Sequence, residues 1–276
     1  SNDIYPVSAD SELPFEQHRD IFHLTGIDQE ETILLLYPPS KDDKTREILF
    51  IRKSDNHTKV WEGEKLSKKQ ANELSGIDSI YFIDDFKDIL SSIATKVDTF
   101  YINKNEHYRA NSPVETREDR FISWLLKKYP AHNVAKSNPI LQRQRSIKHP
   151  DEIDQIKKAC DITRKGFNRV LKFIKPGVWE YEIEAEFIHE FINSSSKGFA
   201  YSPIIASGND NNVLHYVKNN KQCKSGELIL MDVGAEYGNY SSDMTRTVPV
   251  SGKFSKRQKE IYNAVLRVKN EATKLL

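Results

Sequence analysis

Two aspartates in the second half of the sequence are the residues best placed to do chemistry. Asp232 lies in an apolar run, and Asp243 lies in the polar stretch after a turn at 236–239. A symmetric hairpin with Tyr237 and Gly238 at its tip would place the two carboxylates directly opposite each other on one face. Like charges roughly 5 Å apart destabilise a sheet, by about 3 kcal/mol at an effective dielectric constant near 20. A divalent cation between the carboxylates would reverse this effect, and carboxylates suit Mn, Mg, Ca or Zn.

A second interpretation of the two aspartates is an ordinary exposed hairpin. The apolar run around Asp232 is typical of a strand buried on both faces, where an unpaired carboxylate is costly, and this favours the metal site. Two carboxylates are too few for a closed site, so further ligands must come from elsewhere. His215, next to Tyr216, is open to a structural or a functional role. For Trp61 we favour core packing over a position near a site.

The composition excludes several classes of partner. Lysine plus arginine (41) nearly balances aspartate plus glutamate (40), so we expect neither a nucleic acid nor a membrane surface as partner. The sequence has no apolar run of about 18 residues and no signal-peptide pattern. Cys160 and Cys223 are too few for a disulfide framework or a cysteine-rich zinc site. We therefore expect a soluble protein in the reducing cytoplasm.

Strands alternate with helices in the first half of the sequence. Strand-like runs lie at 32–37, 48–51, 81–83 and 99–102, and helical patterns lie at 67–76, 85–96 and 115–129. This alternation predicts an α/β domain. The stretch 137–148 is polar, basic and proline-bounded, so we place a domain boundary near residue 145, which gives domains 1–145 and 146–276.

Helices and an aspartate hairpin are predicted in the second half. In order, these are a helix from Pro150 to about 174, a helix that ends before Gly198, strands near 204–205 and 213–216, the hairpin, and a final helix. Pro150 suits a first helical turn. Ser255 and Gln258 have the spacing of a capping box, which marks the start of the final helix.

Several motifs together resemble the Xaa-Pro aminopeptidases (aminopeptidase P) of the pita-bread metallopeptidase superfamily. They are DVGAEY at 232–237, SDMTRT at 242–247 and PVSGKF at 249–254, with support from 145–148, 175–177, 205–208 and 214–216. The first half, from 22–26 to 61–63, resembles the creatinase-type N-terminal domain of that family. The fold implied is an α/β creatinase-type N-terminal domain followed by part of an α+β pita-bread catalytic domain.

The resemblance implies a metal-dependent aminopeptidase that cleaves the N-terminal Xaa-Pro bond. Two divalent metal ions, commonly Mn with Zn or Co as alternatives, would be held by five side chains. Asp232 would chelate one metal and Asp243 would bridge both, while a metal-bridging hydroxide attacks the peptide bond. His215 would donate a hydrogen bond to the substrate. Substrates would be peptides with proline in second position, and a homo-oligomer, dimer or tetramer, would bring Trp61 to the mouth of a neighbouring site.

The sequence departs from the family pattern because three ligands, one histidine and two glutamates, lie in a C-terminal half that this chain does not reach. We therefore expect the chain to be a fragment that is inactive by itself. Two alternative functions remain open. A prolidase would cleave only Xaa-Pro dipeptides, whereas a metal-free pita-bread protein would bind peptides without cleaving them. Intact Asp232, Asp243 and His215 argue against the second alternative.

Overall fold

The computed structural model describes residues 1–104 and 114–275. The chain divides into two compact units, Ser1–Ile147 and Lys148–Leu276. None of the helices in the described residues is long and apolar enough to cross a membrane. Each unit has its own core, and the predicted site residues Asp232, Asp243 and His215 all belong to the second unit.

The first unit combines short strands and helices. Its strands are β1 (Pro6–Ser8), β2 (Ser11–Glu12), β3 (Ile33–Leu36), β4 (Glu47–Ile51), β5 (Ser79–Phe82), β6 (Thr99–Ile102) and β7 (Asn133–Lys136). Its helices are α1 (Arg19–Thr25), α2 (Asp43–Arg46), α3 (Asn56–Trp61), α4 (Lys68–Ser75), α5 (Phe86–Ala94), α6 (Arg117–Lys128) and α7 (Asn138–Ser146). β4 pairs antiparallel with β3 and parallel with β5, and β6 pairs parallel with β7.

β4 is the central strand of the first unit because its side chains pack into two hydrophobic cores, one on each face. Ile48 and Phe50 pack with α5 on one side, whereas Leu49 and Ile51 pack with Ile27 on the other. A strand that is buried on both faces has a continuous run of apolar residues. This run is the reason that the sequence predicts β4. The helical pattern predicted over 67–76 corresponds to α4, which begins with a full capping box at Ser67.

The second unit packs two long helices against short antiparallel strands. Its helices are α8 (Pro150–Phe173), α9 (Glu180–Asn193) and α10 (Lys256–Thr273). Its strands are β8 (Gly198–Phe199), β9 (Ile204–Ser207), β10 (Leu228–Val233), β11 (Ala235–Tyr237), β12 (Tyr240–Ser241) and β13 (Met244–Pro249). The strands form two three-stranded sheets, ordered β13-β10-β9 and β12-β11-β8.

Close packing of α8 on α9 forms the floor beneath the sheets. Gly166 of α8 makes this contact possible, since an added Cβ there would lie 2.8 Å from the Phe191 ring and 2.9 Å from the Phe187 ring. The core of the unit continues from these helices to Met231 and Val233 of β10. The predicted capping box of Ser255 and Gln258 is also confirmed, at the start of α10.

Candidate metal centre

The hairpin that carries the two aspartates turns at Gly238 and Asn239, not at Tyr237 and Gly238. Both turn residues have positive φ, 57° and 65°, and Tyr237 pairs with Tyr240 across them. A two-residue type I′ turn requires positive φ at both central positions, which glycine and asparagine adopt readily and tyrosine rarely does. The predicted turn is therefore wrong by one residue.

This shift in the turn moves the register of the aspartates. Asp232 pairs with Thr245, so Asp232 and Asp243 are not directly opposite each other. Asp243 lies two residues before Thr245 and just outside β13, which begins at Met244. The two carboxylates are therefore offset along the hairpin and not directly opposed. β10 also alternates between buried and half-buried residues, with Asp232 half-buried and Asp243 exposed, so the expectation of burial on both faces is wrong.

Gly234 interrupts the hairpin between the two aspartates. The β10–β13 pairing reaches Val233, and pairing with β12 resumes at Glu236. A Cβ on Gly234 would lie 1.8 Å from the carbonyl oxygen of Ser242 and 3.1 Å from the Tyr201 ring. Only glycine fits at this distance. Ser242 can approach because residue 234 has no side chain, and the position of the next residue, Asp243, depends on that approach.

Two hydroxyl groups, one from α8 and one from the hairpin, accept hydrogen bonds from the backbone directly after Gly234. The Ala235 amide donates to Thr163 Oγ1 (2.9 Å) and to Ser242 Oγ (3.0 Å). The two hydroxyl oxygens are 2.6 Å apart, and both residues are buried. The backbone groups that leave the regular ladder therefore keep hydrogen-bond partners, as buried polar groups require. This network fixes the segment between the aspartates against α8.

Tyr201 joins the two carboxylates. Its hydroxyl lies 2.8 Å from Asp232 Oδ1 and 3.0 Å from Asp243 Oδ1. The amide of the preceding residue, Ala200, donates to the Gly234 carbonyl oxygen (2.8 Å), which holds Tyr201 beside the hairpin. The two carboxylates therefore converge on a single point in space, although they are not paired across the strands.

The hydroxyl of Tyr201 does not balance the negative charge of the two carboxylates. A tyrosine hydroxyl has one proton to donate, and two carboxylate oxygens lie within its reach. Burial raises the pKa of Tyr201 well above its ordinary value near 10, and the hydrogen bond and negative charge of Asp232 raise it further. The hydroxyl therefore stays protonated at neutral pH, and the excess negative charge favours a cation at the same place.

The donor set of Asp232 and Asp243 fits a divalent metal in chemical type. Two carboxylates supply up to four hard oxygen atoms, which Mg, Mn, Ca and Zn accept. Within residues 1–104 and 114–275, no group of three or more His, Cys, Asp or Glu side chains converges on one point. The chain thus contributes a pair of candidate ligands, which is fewer than a closed site needs.

His215 lies in a turn after the 3-10 helix Gly208–Asn212 and is exposed. The predicted strand over 213–216 is wrong, because Leu214 is 89% exposed and the apolar residues there do not form a buried face. No described residue makes a hydrogen bond to the His215 ring, and the role of this histidine stays a prediction. The carboxylates of the candidate centre do not contact it directly.

Trp61 is the last residue of α3 and is 73% exposed. The core position favoured from the sequence is therefore wrong. Its ring lies 6.1 Å from the ring of His57, centroid to centroid. Thr58 is the buried residue of this short helix, and Trp61, at its last position, lies at the surface.

Sequence reasoning missed Tyr201. This residue precedes β9 and lies 31 and 42 positions from the aspartates that it contacts. Neither the spacing nor the apolar pattern of the sequence signals such a contact. The one local feature is that Pro203 two residues later keeps the chain extended before β9.

Two family models match the chain. Residues 1–101 match the N-terminal domain of aminopeptidase P, and residues 154–276 match metallopeptidase family M24. The first match covers the α/β unit from its start through most of β6, and the second covers both aspartates and Tyr201. Family M24 implies divalent metal cofactors.

Two curated relatives are similar in sequence to nearly the whole of this chain. A Xaa-Pro aminopeptidase of Escherichia coli is 32% identical over 265 residues, which is 94% of this chain and 59% of the relative. Xaa-Pro aminopeptidase 3 of Homo sapiens is 31% identical over 278 residues, which is 100% of this chain and 54% of the relative. The chain thus spans between half and three fifths of the length of these relatives.

Solved structures agree with these matches. Proline aminopeptidase P II from Yersinia pestis has a TM-score of 0.85 and 30% identity, covering 98% of this chain and 62% of that chain. Zinc-substituted aminopeptidase P of E. coli in complex with product has a TM-score of 0.83 and 31% identity, covering 96% and 60%. The fold is an α/β N-terminal domain followed by part of a pita-bread domain, as predicted. The chain is thus similar, in sequence and in fold, to the Xaa-Pro aminopeptidases of metallopeptidase family M24.

Proposed function

We propose that this protein is a metal-dependent aminopeptidase that hydrolyses the N-terminal Xaa-Pro bond of peptides. The observation that carries the proposal is the convergence of Asp232 and Asp243 on the Tyr201 hydroxyl, at 2.8 and 3.0 Å. Two carboxylates that share one point, in a chain that matches the model of family M24, form an incomplete metal site in need of further ligands. The names of the relatives support the Xaa-Pro substrate class.

Asp232 and Asp243 would hold two divalent metal ions, for which we propose manganese. Asp232 would chelate one ion, and Asp243 would bridge both. When bound, such ions lower the pKa of water and polarise a carbonyl group. Tyr201 holds the two carboxylates in place through its single proton. The remaining ligands would come from parts of the protein that the relatives possess and this chain does not span, and without them we expect the chain to be inactive.

His215 would donate a hydrogen bond to the substrate, since its ring is exposed and no described residue hydrogen-bonds to it. Trp61, which is exposed on the first unit, would reach the mouth of a site on a neighbouring subunit of a dimer or tetramer. We also propose a cytoplasmic location and a domain boundary at 145/146. The two cysteines are unpaired, which agrees with a reducing compartment.

Hydrolysis of matched peptides by the full-length, manganese-loaded protein tests this function. We expect cleavage of Xaa-Pro-Yaa tripeptides before proline, and no cleavage when alanine replaces proline. Cleavage of the Xaa-Pro dipeptide alone would identify a prolidase instead. Binding of the peptides without any cleavage would favour a non-catalytic pita-bread protein. The 276-residue chain, assayed in parallel, should show no turnover.

Replacement of Asp243 by asparagine separates the metal role from folding. Asn keeps the size of the side chain and one acceptor oxygen but removes the charge that holds a cation. In the full-length protein, Asp243→Asn should abolish hydrolysis and release bound manganese. The melting temperatures of the metal-free wild type and the metal-free variant should differ little, because bound metal itself stabilises the folded state. Turnover at the wild-type rate would refute the bridging role of Asp243.

A further inference from the structure

Glu180, the first residue of α9, is a fully buried carboxylate with four hydrogen-bond donors. Its Oε1 atom accepts from the amide (2.7 Å) and the hydroxyl (2.8 Å) of Ser207. Its Oε2 atom accepts from the Tyr216 hydroxyl (2.7 Å) and the Lys221 amide (3.0 Å). A buried charge is costly unless it is well hydrogen-bonded, and a helix N-terminus also favours negative charge. The position of Glu180 is therefore stable, although all four donors are neutral.

The donors to Glu180 bracket one stretch of chain, residues 208–220, which we name the 208–220 segment. Ser207 immediately precedes it, Lys221 immediately follows it, and Tyr216 lies within it. A single carboxylate thus fixes both ends and the middle of the segment. The Glu180 amide adds a further bond to the Lys221 carbonyl oxygen (3.0 Å), so the backbone and side chain of Glu180 act on the same end.

The 208–220 segment has no sheet ladder of its own. It begins with the 3-10 helix Gly208–Asn212 and continues in irregular structure. Side chains therefore hold it: Asn219 is buried and its Oδ1 accepts from the Ile205 amide (3.0 Å). In the centre of the segment Tyr216 is 8% exposed, whereas the neighbouring Leu214 is 89% exposed. Tyr216 is thus the inward anchor beside an outward-facing stretch.

His215 lies directly before Tyr216 and is exposed with the outward-facing stretch. The direction of its ring is set by the backbone that the Tyr216 hydroxyl ties to Glu180. Burial and the Glu180 carboxylate raise the pKa of Tyr216, so its hydroxyl keeps its proton at neutral pH and continues to donate. The hydrogen bond from Tyr216 to Glu180, which anchors the segment, therefore persists at neutral pH.

We propose that Glu180 is a positioning residue, whose carboxylate holds the 208–220 segment through Ser207, Tyr216 and Lys221 in the conformation that presents His215 to substrate. The effect on catalysis rests on the proposed function, in which His215 contacts the substrate. The effect on the segment itself does not, and it follows from the hydrogen bonds alone.

Two variants and one matched control test this role in the full-length protein. Tyr216→Phe removes one donor and preserves the ring. Glu180→Gln leaves one carbonyl oxygen for four donors and turns an amide NH₂ group toward two of them. Glu184→Gln makes the same change one turn later on α9, where the side chain accepts a single bond from Asn219 (2.8 Å) and glutamine retains an acceptor. Should Glu180→Gln fail to fold, Tyr216→Phe carries the test.

Hydrogen–deuterium exchange provides the readout that is independent of activity. Amides of the 208–220 segment should exchange about tenfold faster in Tyr216→Phe, and faster still in Glu180→Gln, while α8 and the Glu184→Gln control remain unchanged. Equal protection of the segment in the wild type and Tyr216→Phe would overturn the proposal. This measurement stands even if the protein hydrolyses no Xaa-Pro peptide, in which case the proposed function fails and the anchoring role does not.

Kinetics on Xaa-Pro-Yaa peptides test whether the anchor acts through His215. A displacement of about 1 Å lowers rates by up to about 100-fold, so Tyr216→Phe should lower kcat 10- to 100-fold with little change in KM. The same change in a His215→Ala background should have almost no further effect. An equal loss with and without His215 would show a merely structural role and overturn the proposal.

Discussion

Replacement of Tyr201 by phenylalanine removes the atom on which the two aspartates converge. The ring remains, and with it the packing beside Gly234. What is lost is a hydroxyl 2.8 Å from Asp232 Oδ1 and 3.0 Å from Asp243 Oδ1. The carboxylates are then left to repel each other without a shared donor, so we expect Tyr201→Phe to destabilise the second unit.

The size of this loss follows from the two hydrogen bonds. A hydrogen bond to a charged group contributes about 1.5–3 kcal/mol. The bond to the half-buried Asp232 should count in full, whereas the bond to the exposed Asp243 is discounted because water replaces it readily. The expected loss in free energy of unfolding is therefore about 2 kcal/mol. With an m-value of about 2 kcal/mol per molar urea, the midpoint should fall by about 1 M.

Tryptophan fluorescence can follow the second unit alone. The sequence has three tryptophans, of which Trp61 and Trp124 lie in the first unit and Trp179 lies in the second. In a Trp61→Phe, Trp124→Phe background, urea unfolding monitored at Trp179 reports on the unit that contains the aspartates. Tyr262→Phe is the matched control, since no described residue hydrogen-bonds to that hydroxyl and its loss should cost less than about 0.5 kcal/mol.

A double-mutant cycle with Asp232→Asn makes the interpretation specific. Residues in contact show coupling energies of about 0.5–3 kcal/mol, and we expect at least about 1 kcal/mol between Tyr201 and Asp232. A loss in Tyr201→Phe no larger than that in the control, or the absence of coupling, would refute the convergence of the carboxylates on this hydroxyl.

Three further predictions concern the same structure. Gly234→Ala should destabilise the second unit by at least about 3 kcal/mol, because its Cβ would lie 1.8 Å from the Ser242 carbonyl oxygen; a thermal melt with a cost below about 1 kcal/mol would contradict this. Because the pKa of Tyr201 is raised in the folded state, its contribution to stability is full below pH 10 and is lost as pH rises above 10; urea midpoints from pH 9 to 11 should fall more steeply in the wild type than in Tyr201→Phe. Trp61→Ala should cost the first unit less than about 1 kcal/mol, since the ring is 73% exposed, whereas a core tryptophan would cost about 3–5 kcal/mol.

The sequence predicted the elements whose signals are local. Pro150 in a first helical turn and the Ser255–Gln258 pair mark the starts of α8 and α10. The apolar run of 48–51 likewise marks the central strand of the first unit. In each case the residues that signal the element are those that form its cap or its buried face, so no distant contact was needed.

The register of the hairpin was predicted wrongly although its signal was present. Gly238 and Asn239 are both residues that adopt positive φ, and a type I′ turn at these two positions pairs Asp232 with Thr245. The pattern of charges alone favoured direct pairing of the aspartates. Turn geometry, which depends on the backbone preferences of two residues, determined the result instead.

The sequence did not predict two of the contacts. These are the contact of Tyr201 with the aspartates and the anchoring of the 208–220 segment by Glu180. Both join residues 27 or more positions apart and depend on how the strands and α9 pack. Glu180 in the sequence is an ordinary acidic residue in a first helical turn. Its burial becomes evident only when Ser207 and Tyr216 are brought to it by the fold.

The measurement that tests the central claim most directly is an anomalous-scattering map of the full-length protein crystallised with manganese. We expect manganese peaks at about 2.0–2.3 Å from carboxylate oxygens of both Asp232 and Asp243, with the Tyr201 hydroxyl still bonded to a carboxylate. Manganese bound elsewhere, with neither aspartate among its ligands, would contradict the assignment of this hairpin as the metal centre.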